Sequence, residues 1–220
     1  MHSEPHTTSM QAPTLTRDAK IISQRPDLLL LEQWISAGSS VLDLGCGNGV
    51  LLNHLQTHKQ VSGYGLEINP LKITACLARG VSVIEQDLND GLNNFGTDQF
   101  DTVIMSQTLQ AVTDPVALLS EMLRVGITGI VSFPNFGYWR VRYQLAAFGT
   151  MPVSDSLPYE WYDTPNIHLC TVRDFERLCA RQGYSVLDKW VVNDSYVSLS
   201  KHRLFPNLFG KIALYHITAR

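Results

Sequence analysis

Short apolar runs alternate along this chain with segments in which apolar residues recur at helical spacing. Five runs have the length and composition of buried strands: residues 41–44, 61–66, 81–84, 100–106 and 129–133. In most of the intervals between them, apolar residues fall three and four positions apart, which is typical of helices packed on a sheet. This alternation predicts an α/β fold with a doubly wound parallel sheet.

Residue types at the ends of the helical segments support this prediction. Pro26, Asn69-Pro70 and Asp114-Pro115 are suited to the first turn of a helix, and Thr171 with Asp174 has the pattern of a capping box. The first of these helices should end near residue 38, with an apolar face formed by Leu28, Leu29, Leu31, Trp34 and Ile35. Two further strands are predicted at 184–192 and 212–218.

The first strand leads into a turn with three alternating glycines, Gly45, Gly47 and Gly49. A strand that turns directly into a helix needs positive φ, and it needs no Cβ where a ligand approaches the backbone. Glu67 ends the second strand 22 residues after Gly45, about where a nucleotide-binding βαβ unit places a carboxylate on the ribose hydroxyls. The unit is therefore predicted to bind an adenosine-containing ligand.

Asp43 decides which ligand is expected. A carboxylate two residues before the first glycine would repel a pyrophosphate, and the spacing is G-x-G-x-G rather than G-x-G-x-x-G, so an NAD-dependent oxidoreductase is disfavoured. S-adenosylmethionine (SAM) carries a sulfonium and an ammonium group but no phosphate, so it suits an acidic turn. The D-x-G-x-G-x-G pattern followed by Glu67 resembles motifs I and II of class I SAM-dependent methyltransferases. That resemblance implies SAM or S-adenosylhomocysteine (SAH) as the ligand.

In a doubly wound sheet, ligands lie at the carboxyl ends of the strands. The predicted ligand-binding residues are those at or just past these ends: Asp43, Gly45, Cys46, Gly47, Gly49, Glu67, Ile68, Asp87, Leu88, Ser106 and Gln107. For Asp87, the methyltransferase resemblance implies a hydrogen bond to the adenine amino group. The alternative is a carboxylate that only caps the turn after its strand.

Residues 134–170, here named the aromatic segment, form an unusually long connection. They hold eight of the chain's 20 aromatic residues. We expect the segment to cover the ligand edge as a lid or to present a surface to another protein. If 138–148 is helical, Trp139, Arg142, Tyr143 and Ala146 share one face, which could be an interface or could pack on the chain's own sheet.

Length and composition narrow the possible partners. A chain of 220 residues with 45% hydrophobic residues suits one globular domain, predicted at 17–220 after a flexible tail at 1–16. A net charge of −3 gives no excess of positive charge for binding nucleic acid. No apolar run is long enough to span a bilayer. The four cysteines lack metal-like spacing, so no metal is predicted, and reduced thiols fit a cytoplasmic location.

Several motifs beyond the glycine turn resemble the methionine-biosynthesis MetW family over residues 21–192. They are Arg25-Pro26-Asp27-Leu28, residues 63–67, 107–112 and 133–137, and the string LPYEWYDTPNIH at 157–168. The resemblance implies a class I methyltransferase fold: a seven-stranded sheet with a closing antiparallel strand pair and the aromatic segment after strand five. It also implies an association with homoserine O-acyltransferase (MetX), as an accessory subunit.

Two functions remain open from the sequence. In the first, the protein binds SAM or SAH and regulates the acyltransferase through its aromatic segment. In the second, it is an enzyme that methylates a small acceptor, for which positioning supplies most of the catalysis and a base is needed only for an acceptor of high pKa. His168 is then the best candidate base, followed by Tyr159, Glu160 and Asp163; the alternative for His168 is a structural histidine that forms hydrogen bonds near the following helix.

Overall fold

The computed structural model describes residues 21–22, 25–193 and 205–219. The tail predicted at 1–16 lies outside these residues. The strands are β1 Ser40–Leu44, β2 Ser62–Glu67, β3 Val83–Glu85, β4 Phe100–Ser106, β5 Gly126–Pro134, β6 Ser185–Val192 and β7 Ile212–Thr218. The α-helices are α1 Pro26–Leu31, α2 Val50–Lys59, α3 Pro70–Ala78, α4 Pro115–Val125, α5 Trp139–Phe148, α6 Val172–Gln182 and α7 Pro206–Phe209. Short 3-10 helices cover Glu32–Trp34, Leu88–Asp90 and Leu109–Ala111.

The strands form one seven-stranded sheet in the order β3-β2-β1-β4-β5-β7-β6. Strands β1 to β5 are parallel, whereas β7 is antiparallel to both β5 and β6. The chain moves outward in one direction from β1 to β3 and in the other from β4 to β5, so the topological switch lies between β1 and β4. The predicted doubly wound sheet with a closing antiparallel pair is confirmed.

Helix starts follow the predicted capping chemistry. The Asn69 side chain accepts hydrogen bonds from the backbone N–H groups of residues 71 and 72, and Asp114 caps α4 in the same way at residues 116 and 117. Thr171 and Asp174 form the predicted capping box at the start of α6. These caps satisfy backbone donors that the first turn of a helix leaves unpaired, so the starts of these three helices are fixed locally.

Two details differ from the sequence-based expectation. Strand β5 starts at Gly126, directly after α4, because pairing with β4 extends the strand beyond its apolar centre. The first helix changes to a 3-10 helix after Leu31, and its Leu29 is exposed rather than on the buried face.

The core consists of apolar layers on both faces of the sheet. Side chains alternate between faces along each strand, so Val103 packs in the cluster that contains Phe175 of α6, and its neighbour Ile104 packs in the cluster that contains Leu52 of α2. Because helices and apolar side chains cover both faces of the sheet, a ligand cavity is expected at the ends of the strands. None of the described helices combines the length and the hydropathy needed to cross a membrane.

Candidate functional site

A cavity of about 730 Å³ lies along the carboxyl ends of the parallel strands. Its walls extend from Asp87 after β3, past Glu67 and Gly45, to Pro134 at the end of β5 and Ile212 at the start of β7. Neighbouring strands lie about 4.8 Å apart, so five strand intervals correspond to roughly 24 Å along this edge. The predicted residues that line it are Gly45, Glu67, Ile68, Asp87, Leu88, Ser106 and Gln107, whereas Asp43, Cys46, Gly47 and Gly49 lie outside the lining.

The glycine turn has the backbone geometry predicted for it. Gly45, Gly47 and Gly49 adopt φ values of +73°, +57° and +73°, in the left-handed region that glycine reaches without strain. A Cβ on Gly45 would lie 2.7 Å from Thr108 Oγ1, so a larger residue would clash there. A Cβ on Gly47 would meet no protein atom within 4 Å. The backbone of the turn therefore packs closely against Thr108, just after β4, at Gly45, and has open space beside it at Gly47.

Glu67 is the most firmly held polar group at the cavity wall. Its Oε2 accepts a hydrogen bond from Gly47 N at 3.0 Å, and its Oε1 accepts from Ile68 N at 3.1 Å and Asn69 N at 3.0 Å. The side chain is only 7% exposed, and Lys72 Nζ lies 4.0 Å from Oε2. Three backbone donors thus fix the orientation of a carboxyl group whose oxygens can accept further hydrogen bonds from a ligand.

Asp43 lies beneath the turn and is 2% exposed. Burial, and to a smaller extent the charge of Glu67, raises the pKa of its carboxyl to about 7. Removing a carboxylate from water disfavours its charged form, and a second negative charge nearby has the same effect. Asp43 is therefore poised to ionise near neutral pH, and a nearby cation would favour that ionisation.

Asp87 follows β3 and caps the short 3-10 helix that begins at Leu88. Its Oδ1 accepts from both Asn89 N and Asn89 Nδ2, each at 2.9 Å. No side chain or backbone group in the described part of the chain donates to Oδ2. One oxygen of Asp87 thus caps the turn, while the other remains available at the cavity wall.

Ser106 and Gln107 end β4 at the middle of the cavity. Ser106 Oγ lies 3.1 Å from Ser132 Oγ, and Gln107 has a φ of +55°, which is uncommon for a residue with a side chain. Gln107 Nε2 is 3.4 Å from Asp27 Oδ2, at the limit of a hydrogen bond. The left-handed conformation turns the chain away from the sheet immediately after the strand.

His168 lies outside the cavity wall. Its Nε2 is 3.2 Å from the carbonyl oxygen of Thr113, and its ring is exposed. The carbonyl oxygen can only accept, so Nε2 carries the hydrogen of this bond, and the lone pair of the neutral ring is on Nδ1. One ring nitrogen of His168 thus bonds to a backbone carbonyl outside the cavity lining, and its role as a catalytic base stays a prediction.

Cys46 and Cys76 form a buried pair beside the glycine turn. Their sulfur atoms are 3.8 Å apart, and the Cys76 thiol donates to Gly47 O at 3.1 Å. Burial raises the pKa of both thiols, and the nearby carboxylates add to the effect. Because the thiolate is the reactive form, these groups are poor nucleophiles and support the turn by packing.

Arg25 and Gln110 are among the cavity residues that the sequence analysis did not predict as site residues. Arg25 donates hydrogen bonds to the buried carboxylate of Asp27 through Nε and Nη2 at 2.9 and 2.7 Å. Gln110 is 1% exposed, and its Nε2 donates to Pro134 O at 3.2 Å. Among the described residues, no donor reaches Gln110 Oε1. Arg25 precedes a helix and Gln110 lies within a 3-10 helix, so neither lies at a strand end, where ligand-binding residues were expected. In the sequence, only their place in the MetW-like motifs pointed to a functional role.

Part of the aromatic segment contributes to the cavity wall, through Asp155, Ser156, Pro158, Tyr159, Pro165 and Asn166. The helix predicted within the segment is present as α5. Its Trp139 and Tyr143 are 41% and 59% exposed, whereas Val141 is buried. In this structure the Trp139 face of α5 is thus exposed and is not packed on the sheet.

Comparisons with known proteins agree with this architecture. A structure of magnesium protoporphyrin IX methyltransferase from Synechocystis with bound SAH has a TM-score of 0.63 at 15% identity, covering 99% of this chain and 90% of that one. At this identity the likeness shows the fold alone. Ubiquinone biosynthesis O-methyltransferase from Pseudomonas fluorescens is 27% identical over 78% of this chain and 75% of its own length.

A bifunctional methionine biosynthesis protein MetXA/MetW from Rhodopirellula baltica is 44% identical over 169 residues. The match covers 73% of this chain but only 27% of that longer relative. The model of the family described as methionine biosynthesis protein MetW matches residues 25–217, which is most of the chain. The fold, the motifs at the strand ends and this match lead to one conclusion: the chain belongs to the MetW family of methionine biosynthesis proteins.

Proposed function

We propose that this protein binds SAM or SAH in the cavity at the strand ends and acts as an accessory or regulatory subunit of homoserine O-acyltransferase. The observation that carries the first part is the carboxylate of Glu67, which three backbone donors hold at the cavity wall. A fixed carboxylate at the end of β2 suits the two adjacent hydroxyl groups of a ribose.

The rest of the ligand can be assigned along the cavity. Asp87 Oδ2 suits the adenine amino group, and Ile68 and Leu88 provide apolar surface for the ring. The methionine portion would then extend towards the glycine turn and Gln107, above the buried Asp43. Arg25, at the same part of the wall, suits a carboxylate such as the one that SAM and SAH carry.

Thermal unfolding tests this assignment directly. SAH at one hundred times its dissociation constant should stabilise the protein by about 2.7 kcal/mol, which for a domain of this size raises the melting temperature by roughly 5 to 11 °C. NAD at the same concentration is the matched control and should leave the melting temperature unchanged, because the acidic turn disfavours a pyrophosphate. An unchanged melting temperature with both SAM and SAH would contradict the proposal.

The second part of the proposal, the partner, rests on two observations. The relative from Rhodopirellula baltica carries MetXA and MetW in its name as one bifunctional protein, and the similarity covers 27% of its length. Within the aromatic segment, exposed aromatic side chains gather near α5 and the following loop: Trp139, Tyr143, Phe148, Tyr159, Trp161 and Tyr162. Exposed aromatic side chains favour a protein interface, because interface hot spots are enriched in Trp and Tyr.

Replacing Trp139 by alanine should abolish co-purification with the acyltransferase. Because the side chain is 41% exposed and stands on an exposed helix, the melting temperature and SAH affinity should change little. Tyr64→Ala is the matched control, since Tyr64 is an exposed aromatic residue on β2, outside the segment. Retained co-purification of Trp139→Ala, or its loss with Tyr64→Ala alone, would move the interface to another surface.

An active methyltransferase is the second candidate, favoured by one observation. The cavity continues beyond the positions assigned to the nucleoside, towards Pro134, Ile212 and the aromatic segment, where an acceptor could lie in line with the methyl group. In that reaction the acceptor forms a bond to the methyl carbon while the carbon–sulfur bond breaks, and SAH leaves as a neutral thioether. Incubation with SAM and the acyltransferase reaction mixture separates the candidates: the enzyme releases SAH, whereas the accessory subunit changes acyltransferase activity without releasing SAH.

A further inference from the structure

Hydrogen bonds beside the adenine end of the cavity extend away from it in an unbroken series. Asp87 Oδ1 accepts from the side-chain nitrogen of Asn89 at 2.9 Å, and Asn89 Oδ1 accepts from the backbone nitrogen of Thr113 at 2.8 Å. Both halves of the Asn89 amide are therefore used. Their roles are fixed, because a carboxylate can only accept and a backbone N–H can only donate.

The series continues from Thr113 into the aromatic segment. His168 Nε2 donates to Thr113 O at 3.2 Å, and the carbonyl of Gln110 accepts from the backbone nitrogens of Ile167 and His168 at 2.8 and 3.0 Å. Asn166, the preceding residue, lines the cavity. This part of the segment is thus fastened to the loop after β4 by two backbone bonds and one side-chain bond.

We infer that His168 is a positioning residue that couples the adenine end of the cavity to the aromatic segment, through Thr113, Asn89 and Asp87. The inference rests on the proposed binding of SAM or SAH at this cavity. It assigns to His168 a role in regulation rather than in proton transfer, and it gives ligand binding a physical route to the surface that carries Trp161 and Tyr162.

The coupling follows from the restraint that each bond imposes on the next. Asn89 holds Asp87 Oδ1, which keeps Oδ2 available to an adenine amino group; a ligand on Oδ2 in turn fixes the carboxylate and with it Asn89, Thr113 and His168. Such an effect is reciprocal, so fastening the segment strengthens ligand binding as much as ligand binding fastens the segment. Loss of one hydrogen bond in the series should change affinity by about two- to tenfold.

Variants of His168 test the inference with SAH as the probe. His168→Phe keeps a planar ring but removes the donor to Thr113 O, whereas His168→Gln can restore a donor through its amide. We expect the dissociation constant of SAH to rise about two- to tenfold in His168→Phe and to recover in His168→Gln. His58→Phe is the matched control, because His58 is exposed and its Nδ1 bonds only to His54 O within α2.

Backbone amide exchange gives a readout that a purely structural role would not move. SAH should slow exchange across residues 160–170 in the wild type, and His168→Phe should lose most of this slowing. Asn89→Ala breaks the series at another link and should lose it too, which keeps the test valid if His168→Phe folds poorly. If His168→Phe and Asn89→Ala both retain wild-type affinity and the wild-type SAH-dependent slowing, the inference is overturned. Failure of the wild type to bind SAH would instead overturn the proposed function.

Discussion

Without ligand at pH 8, the Asp43→Asn variant should melt at a higher temperature than the wild type. The folded protein raises the pKa of Asp43 from 3.8 to about 7, mainly through burial and also through Glu67. Below pH 3.8 the carboxyl is protonated in both states and folding carries no penalty. As the pH rises to about 7, only the unfolded chain releases the proton freely, so the wild type progressively loses stability.

The size of the effect follows from the shift. About three pKa units correspond to about 4 kcal/mol of unfolding free energy, which is of the order of 10 °C in melting temperature for a domain of this size. Asparagine cannot ionise, so the difference between variant and wild type should grow from pH 4 to pH 7 and then stay constant. Melting curves collected across this range measure it.

Asp101→Asn is a control for which the opposite change in stability is expected, because the pKa of Asp101 is lowered rather than raised. The backbone and side chain of Ser40 donate to Asp101 Oδ2 at 2.8 Å and hold the pKa of its carboxyl below the usual value. Its contribution to stability is present above the ordinary carboxyl pKa and is lost as the pH falls through the lowered value. Asp101→Asn should therefore destabilise the protein at neutral pH. A difference for Asp43→Asn that did not depend on pH would show that Asp43 already ionises with an ordinary pKa.

Glu67→Gln should weaken SAH binding by more than tenfold. If the carboxylate accepts from the ribose hydroxyls, each charge-assisted bond lost reduces the binding free energy by about 1.5 to 3 kcal/mol. The environment of Glu67 adds a second effect, because the neighbouring Gly47, Ile68 and Asn69 all present N–H donors. A glutamine amide nitrogen would face at least one of these donors, so the glycine turn must shift or leave that donor unpaired.

Calorimetric titration with SAH, together with the melting temperature of the free variant, measures both effects. Glu85→Gln is the matched control, since Glu85 pairs in register with Glu67 on the adjacent strand but its side chain is exposed. It should leave affinity and melting temperature unchanged. Equal affinities for Glu67→Gln and the wild type would remove Glu67 from the binding site.

Features set by local chemistry were predictable from the residues alone. The three glycines fix the conformation of the turn because few other residues tolerate its positive φ values, and the capping side chains of Asn69, Asp114 and Thr171 fix the helix starts. The alternation of strands and helices likewise determines a parallel sheet, and a parallel sheet places Glu67 and Asp87 at the same edge. These conclusions need only neighbouring residues and the geometry of regular structure.

Tertiary structure decided which of these residues face the cavity and which lie behind it. Asp43 and Glu67 look equivalent as strand-end carboxylates, but packing buries Asp43 beneath the turn, where its pKa rises, and leaves Glu67 at the wall with three backbone donors. Arg25 reaches the same wall from the start of α1. Burial depends on elements far apart in the chain, which no local pattern reports.

The aromatic segment shows the same division. Its composition predicted a functional surface. Only the tertiary structure shows that Trp139 and Tyr143 are exposed on α5, whereas Val141 is buried. Likewise, the sequence could nominate His168 as a base or as a structural residue. Only the tertiary structure places its ring outside the cavity lining and beside Thr113 O, 55 residues earlier in the chain.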